Sequence, residues 1–76
     1  MTPRKPRLTA EDVIRVIERK GFALVRQSGS HRIFKNAEGR RVTVSVHGSK
    51  VLHPKVLSSI LRDAEVGWDE LDELLK

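Results

Sequence analysis

The sequence predicts an α+β domain: a helix, a three-stranded antiparallel sheet and a second helix. Both helices are expected on one face of the sheet, with a short extra helix at the C-terminus. Three observations predict it. Val13, Ile14 and Ile17, widened by Val16, form an apolar stripe at helical spacing. Val42, Val44 and Val46 alternate with Arg41, Thr43 and Ser45, the period of a strand with one buried face. After His53-Pro54, helical spacing returns with Leu57, Ile60, Leu61 and Ala64.

The elements follow in order. Residues 1–7 are basic and broken by proline, and read as a flexible arm. Thr9 fits an N-cap with Asp12 three residues on, an Asp form of the capping box, and Leu8 and Val13 occupy the staple positions around it. The first helix is placed at 10–20, closed by Gly21 in a left-handed cap, with Phe22 folding back on Ile17. Phe22 to Gln27 reads as the first strand, Ser28-Gly29-Ser30 as a turn and His31 to Lys35 as the second strand. Asn36-Ala37-Glu38-Gly39 fits a type I turn followed by a left-handed glycine, a three-residue hairpin with a bulge. Arg40 to Val46 is the third strand and 47–52 a loop. Pro54 suits the first turn of the second helix, where its missing N–H costs nothing. Gly67 breaks the chain, and Trp68, Leu71, Leu74 and Leu75 mark a short acidic helix.

Register decides where His31 points. With Ala37 to Gly39 as the loop, Phe34 pairs with Val42 and takes the buried face. His31 and Ile33 then share the open face with Arg41, Thr43 and Ser45. A two-residue loop would turn His31 into the core. The glycine at the position that needs a positive φ favours the bulged form.

Composition bounds the function. Seventy-six residues make one small domain with a modest core. The absence of cysteine excludes disulfides and thiolate metal sites and points to the cytoplasm. No apolar run follows the basic start, so neither a signal peptide nor a membrane span is expected. Phe22, Phe34 and Trp68 are too few aromatics for a base-stacking platform. The net charge of +5 is unevenly spread: six acids oppose Lys76 after residue 62, while the first 62 residues carry 14 basic and 4 acidic residues. Such a cationic body attracts polyanions by counterion release, so a nucleic acid is the expected partner.

The chemistry centres on His31. Imidazole exchanges a proton near neutral pH, and this one stands in Gly29-Ser30-His31-Arg32 on a short strand. A metal-free ribonuclease needs no protein nucleophile, because the RNA 2′-hydroxyl attacks. It needs a base, an acid and cations for the phosphorane. His31 fits the base or the acid; Arg32, Lys35 and Arg41 are candidate charge stabilisers, with Arg32 on the opposite face as an edge or structural residue. His47 is a candidate second proton carrier, the alternative being an ordinary loop residue. Lys50 and Lys55, with the start of the second helix, fit a phosphate grip or merely solvate the loop. The three histidines lack the spacing of a metal site, and Ser28, Ser30 and Ser45 lack a nucleophile motif. No cofactor is expected.

Over residues 8–66 the chain resembles the HicA toxins of bacterial and archaeal toxin–antitoxin pairs. The marks are the Val13/Ile14/Ile17 helix, Lys20-Gly21-Phe22, Gly29-Ser30-His31-Arg32-Ile33-Phe34, Gly39-Arg40-Arg41-Val42-Thr43-Val44, His47, and Leu57 to Ala64. The resemblance implies a fold like a double-stranded-RNA-binding domain, metal-independent mRNA cleavage, and His31 as the catalytic residue. It also implies an antitoxin of the HicB type over the active site. Separately, the free protein is expected to be a monomer, with the size of any complex left open. Two departures stand out. Ser45-Val46-His47 lacks a proline that family members often carry before this histidine, and Glu65 stands near where relatives often have glycine. The arm 1–7 and the acidic helix over 67–76 are extensions to the core domain 8–66. The rival readings are a non-catalytic double-stranded-RNA-binding module and a protein-interaction domain that meets only an acidic partner.

Overall fold

A computed structural model describes residues 7–48 and 50–76. The basic arm expected over 1–7 lies outside the described residues, apart from Arg7. The order is α1 (Ala10–Arg19), β1 (Ala23–Ser28), β2 (His31–Lys35), β3 (Arg41–Ser45), α2 (Pro54–Asp63) and α3 (Trp68–Leu75). It is the α+β order expected, with the sheet running β1-β2-β3.

Local chemistry starts and stops the helices. Thr9 Oγ1 accepts the Asp12 N–H at 3.2 Å while Asp12 Oδ2 accepts the Thr9 N–H at 3.0 Å, a complete capping box. The two bonds to Thr9, backbone first, then the Arg15 guanidinium, hold the Asp12 carboxyl below its ordinary pKa. Leu8 and Val13 are both buried beside the cap. Gly21, at φ 105°, ends α1. The Phe22 N–H reaches Ile17 O and the Gly21 N–H reaches Glu18 O, each at 3.0 Å, the two bonds of a Schellman motif. Phe22 is therefore tied to the helix end, and β1 begins one residue later than its β-prone sequence suggests.

The same motif closes α2 without a glycine. Glu65 adopts φ 57°, and Val66 N–H to Leu61 O (2.8 Å) and Glu65 N–H to Arg62 O (3.1 Å) complete it. It lies near the place where members of the resembled family often carry glycine. A left-handed conformation costs a residue with a Cβ roughly 1–2 kcal/mol. Arg40 supports the turn from the hairpin side, donating through Nε to Asp63 O (2.5 Å) and pairing with Glu65 Oε1 at 3.2 Å.

The second hairpin has the expected form. Asn36 N–H bonds Arg40 O at 3.1 Å, Gly39 N–H bonds Asn36 O at 3.0 Å, and Gly39 takes φ 82°. Phe34 consequently faces Val42, and both are buried. Together with Val44 they meet Val13, Ile17 and Leu57 of the two helices in one core, so both helices cover the same face of the sheet. β1 departs from the expected alternation. Val25 forms a bulge between Leu24, which pairs with Phe34, and Arg26, which pairs with Ile33. No residue of β1 is buried. The helices make their sheet contacts chiefly on β3, so β1 projects beyond them as an edge.

α3 packs through Leu71, which is fully buried. Lys20 Nζ meets Glu70 Oε2 at 2.5 Å. The Arg19 guanidinium donates to Leu74 O (2.6 Å) and to Lys76 O, using two carbonyls that α3 leaves free at its end. No described helix is long and apolar enough to cross a membrane.

Candidate functional site

The open face of the sheet is built by register. Ser28 and His31 close a two-residue turn in which only Gly29 has a positive φ, at 57°, the pattern of a type II′ hairpin. That turn delivers His31 to the first position of β2, exposed and on the uncovered side of the sheet. On its other flank His31 pairs with Ser45 of β3. The histidine is thus the middle member of a row Ser28–His31–Ser45 that crosses all three strands, with about 4.8 Å between neighbouring strands. Among the described residues nothing hydrogen-bonds to its ring, so both ring nitrogens are open to a ligand.

The candidate cations divide by position. Lys35 pairs with Arg41 at the far end of the same face. Four residues at roughly 3.3 Å each put this pair about 13 Å along the strand from His31. It shares the face with His31 but stands a strand length away along the backbone. Like charges set directly opposite repel one another, and a bound polyanion relieves that repulsion. Arg32 points to the helix side, where Nη1 meets Glu11 Oε1 of α1 at 3.1 Å, the face expected for an edge or structural residue. Arg26 was not singled out from sequence. It pairs with Ile33 on the open face, diagonal to His31, and is the cation nearest the histidine by register. Only the Val25 bulge brings it there, and no residue pattern in β1 announces that bulge.

A second feature adjoins the row. Ser45, His47, Lys50 and His53 stand around an open groove of about 580 Å³ between the end of β3 and the start of α2. Ser45 belongs to both the groove and the row. His53 is the N-cap of α2, its Nδ1 accepting the Lys55 N–H at 3.1 Å. Pro54 has no N–H and Lys55's is taken, so the start of α2 offers a phosphate little beyond the Val56 N–H. Lys50 lines the groove; Lys55 does not, standing exposed on the first turn. The predicted phosphate grip therefore reduces to Lys50 with Lys55 as a neighbouring charge. Among the described residues no three His, Asp or Glu side chains converge as a metal site would need.

The family model for the HicA toxin of bacterial toxin–antitoxin systems matches residues 10–66, from the first turn of α1 to the Schellman closure of α2. The chain belongs to the HicA toxin family. As a HicA toxin it is one half of a toxin–antitoxin pair, and an antitoxin is its partner. The match takes in His31, the row around it and every residue lining the groove, and leaves α3 outside. A search of curated proteins returned no match to this chain.

Proposed function

We propose that this HicA toxin is a metal-independent endoribonuclease of mRNA in which His31 moves the proton. The supporting observation is the placement of His31: exposed, unbonded at its ring among the described residues, and on the middle strand at the turn end of an open sheet face in a basic domain. Neutral imidazole takes the proton of the 2′-hydroxyl as the 2′-oxygen attacks the adjacent phosphorus. The P–O5′ bond breaks, and the imidazolium returns the proton to the leaving oxygen. One histidine balances both transfers. Arg26 stabilises the phosphorane charge, while Lys35 and Arg41 hold a neighbouring phosphate along the strand. Ser28 and Ser45 orient the ring or the RNA from either side. A toxin with one proton carrier works mainly by positioning its substrate.

The same face is the surface for a HicB-type antitoxin. An acidic partner laid over Arg26, Lys35 and Arg41 buries His31 and excludes RNA.

The test is cleavage of a long RNA in excess chelator by the wild type and by His31→Ala. Cleavage by the wild type alone supports the reading. Equal cleavage by both proteins removes His31 from the chemistry, and binding without cleavage by either replaces the nuclease with a non-catalytic RNA-binding module.

A further inference from the structure

The groove beside the His31 row is more apolar inside than its rim suggests. Val51 and Val56 are among the most exposed large hydrophobic residues of the chain, at 53% and 46%, and both turn into this groove, with Leu52 and Ala10 beside them. The imidazoles of His47 and His53 and the ammonium of Lys50 complete the wall. A volume of about 580 Å³ lies within the usual range for small-ligand sites.

We propose that this groove is a nucleobase subsite: it receives the base of a nucleotide flanking the scissile phosphate, with an imidazole against the base and Lys50 on its phosphate. Three observations support RNA as the occupant. The apolar floor with flat imidazole walls suits the faces of a base, and histidine is one of the rings on which unstacked RNA bases rest. Lys50 and the cationic body match the phosphate that accompanies the base. Ser45 is shared between the groove and the His31 row, so a strand lying across His31 enters the groove by continuing in the same direction. With only Phe22, Phe34 and Trp68 as aromatics, and the two phenylalanines buried in the core, the histidines take the part that aromatic residues take elsewhere. The subsite gives the toxin a preference for one base at a fixed distance from the cut.

This inference deepens the nuclease reading, yet its test does not depend on cleavage. The full-length His31→Ala protein is titrated with 12-nucleotide RNAs of uridine, cytidine or adenosine, and with an abasic ribose-phosphate chain of equal length. At least one base-bearing RNA is expected to bind about fivefold or more tightly than the abasic chain. Val56→Gln, which places a polar group on the floor at an exposed helical position, removes that preference and leaves abasic binding within about twofold. Lys50→Ala weakens base-bearing and abasic chains alike. Amide shifts of Val51, Leu52 and Val56 in the unsubstituted groove move with the base-bearing RNA and not with the abasic chain, which keeps the test independent of how Val56→Gln folds. Equal binding of base-bearing and abasic chains, or a preference that survives Val56→Gln, overturns the subsite. A wild-type toxin that cuts RNA without such a preference loses the groove but keeps the nuclease. A protein that cuts nothing but retains the preference does the reverse.

Discussion

The two faces of the β2–β3 ladder are made of alternate residues of the same ten, and they have opposite tasks. Phe34, Val42 and Val44 point to the helices and are almost completely buried. His31, Lys35, Arg41 and Thr43 point away, and none of them is buried. A shift of one residue in register would exchange the two sets. Positioning of the histidine is therefore inseparable from burial of the valines: the hairpin at Gly39 sets both at once. Substitutions on the two faces should separate cleanly into those that alter the fold and those that alter RNA chemistry.

The largest expected effect lies on the buried face. Phe34→Ala empties the centre of the core and should cost about 3–5 kcal/mol, most of the stability of a domain this small. Denaturant unfolding checks it, and a loss under about 1 kcal/mol would break the division. Next is His31→Ala on the open face. Cleavage should fall by about a hundredfold or more, while unfolding free energy stays within roughly 0.5 kcal/mol, as for an exposed residue. A collapse of stability in this variant would mean that the open face also carries the fold.

Smaller effects sharpen the contrast within the open face. Lys35→Ala and Arg41→Ala should each weaken RNA binding and reduce the slope of log affinity against log salt by about 1. Their cost appears in KM more than in kcat, because they lie about 13 Å from His31 along the strand. Arg26→Ala, nearer by register, should lower kcat instead. The smallest effect belongs to the cap of α1. Asp12 has a folded pKa below its unfolded one, so its contribution is present above the ordinary value of 3.8 and is lost as pH falls through the folded value. The melting-temperature difference between wild type and Asp12→Ala should shrink on acidification below about pH 4, with cleavage at neutral pH unchanged.

Most of the fold was legible because its signals are local. Thr9 with Asp12, Gly21, Gly39 and Pro54 each mark a boundary by a conformational need, and the structure places an element end at every one. The face of His31 followed from Gly39 alone. Elsewhere the signals were longer-ranged. The Val25 bulge, and with it the position of Arg26, depends on how β1 meets β2 and leaves no mark in the residues of β1. The left-handed turn at Glu65 is held by Arg40, from 25 positions earlier, and lacks the glycine that would announce it. The groove was half visible: Lys50, His47 and the start of α2 were singled out separately, but their convergence with Val51 and Val56 arises only when the loop folds against the segment leading into α1, where Leu52 N–H bonds Leu8 O at 2.7 Å.

A straight edge strand with Leu24 and Val25 exposed would offer any second molecule an unpaired row of amides and carbonyls beside apolar side chains. The extra residue at Val25 interrupts that row near its middle and leaves two stretches, each too short to seed a stable pairing. Deleting Val25 would make the ladder continuous from Ala23 to Ser28, and the protein should then self-associate with rising concentration. Self-association that appears on deleting Val25 would assign the protection of the β1 edge to that one extra residue.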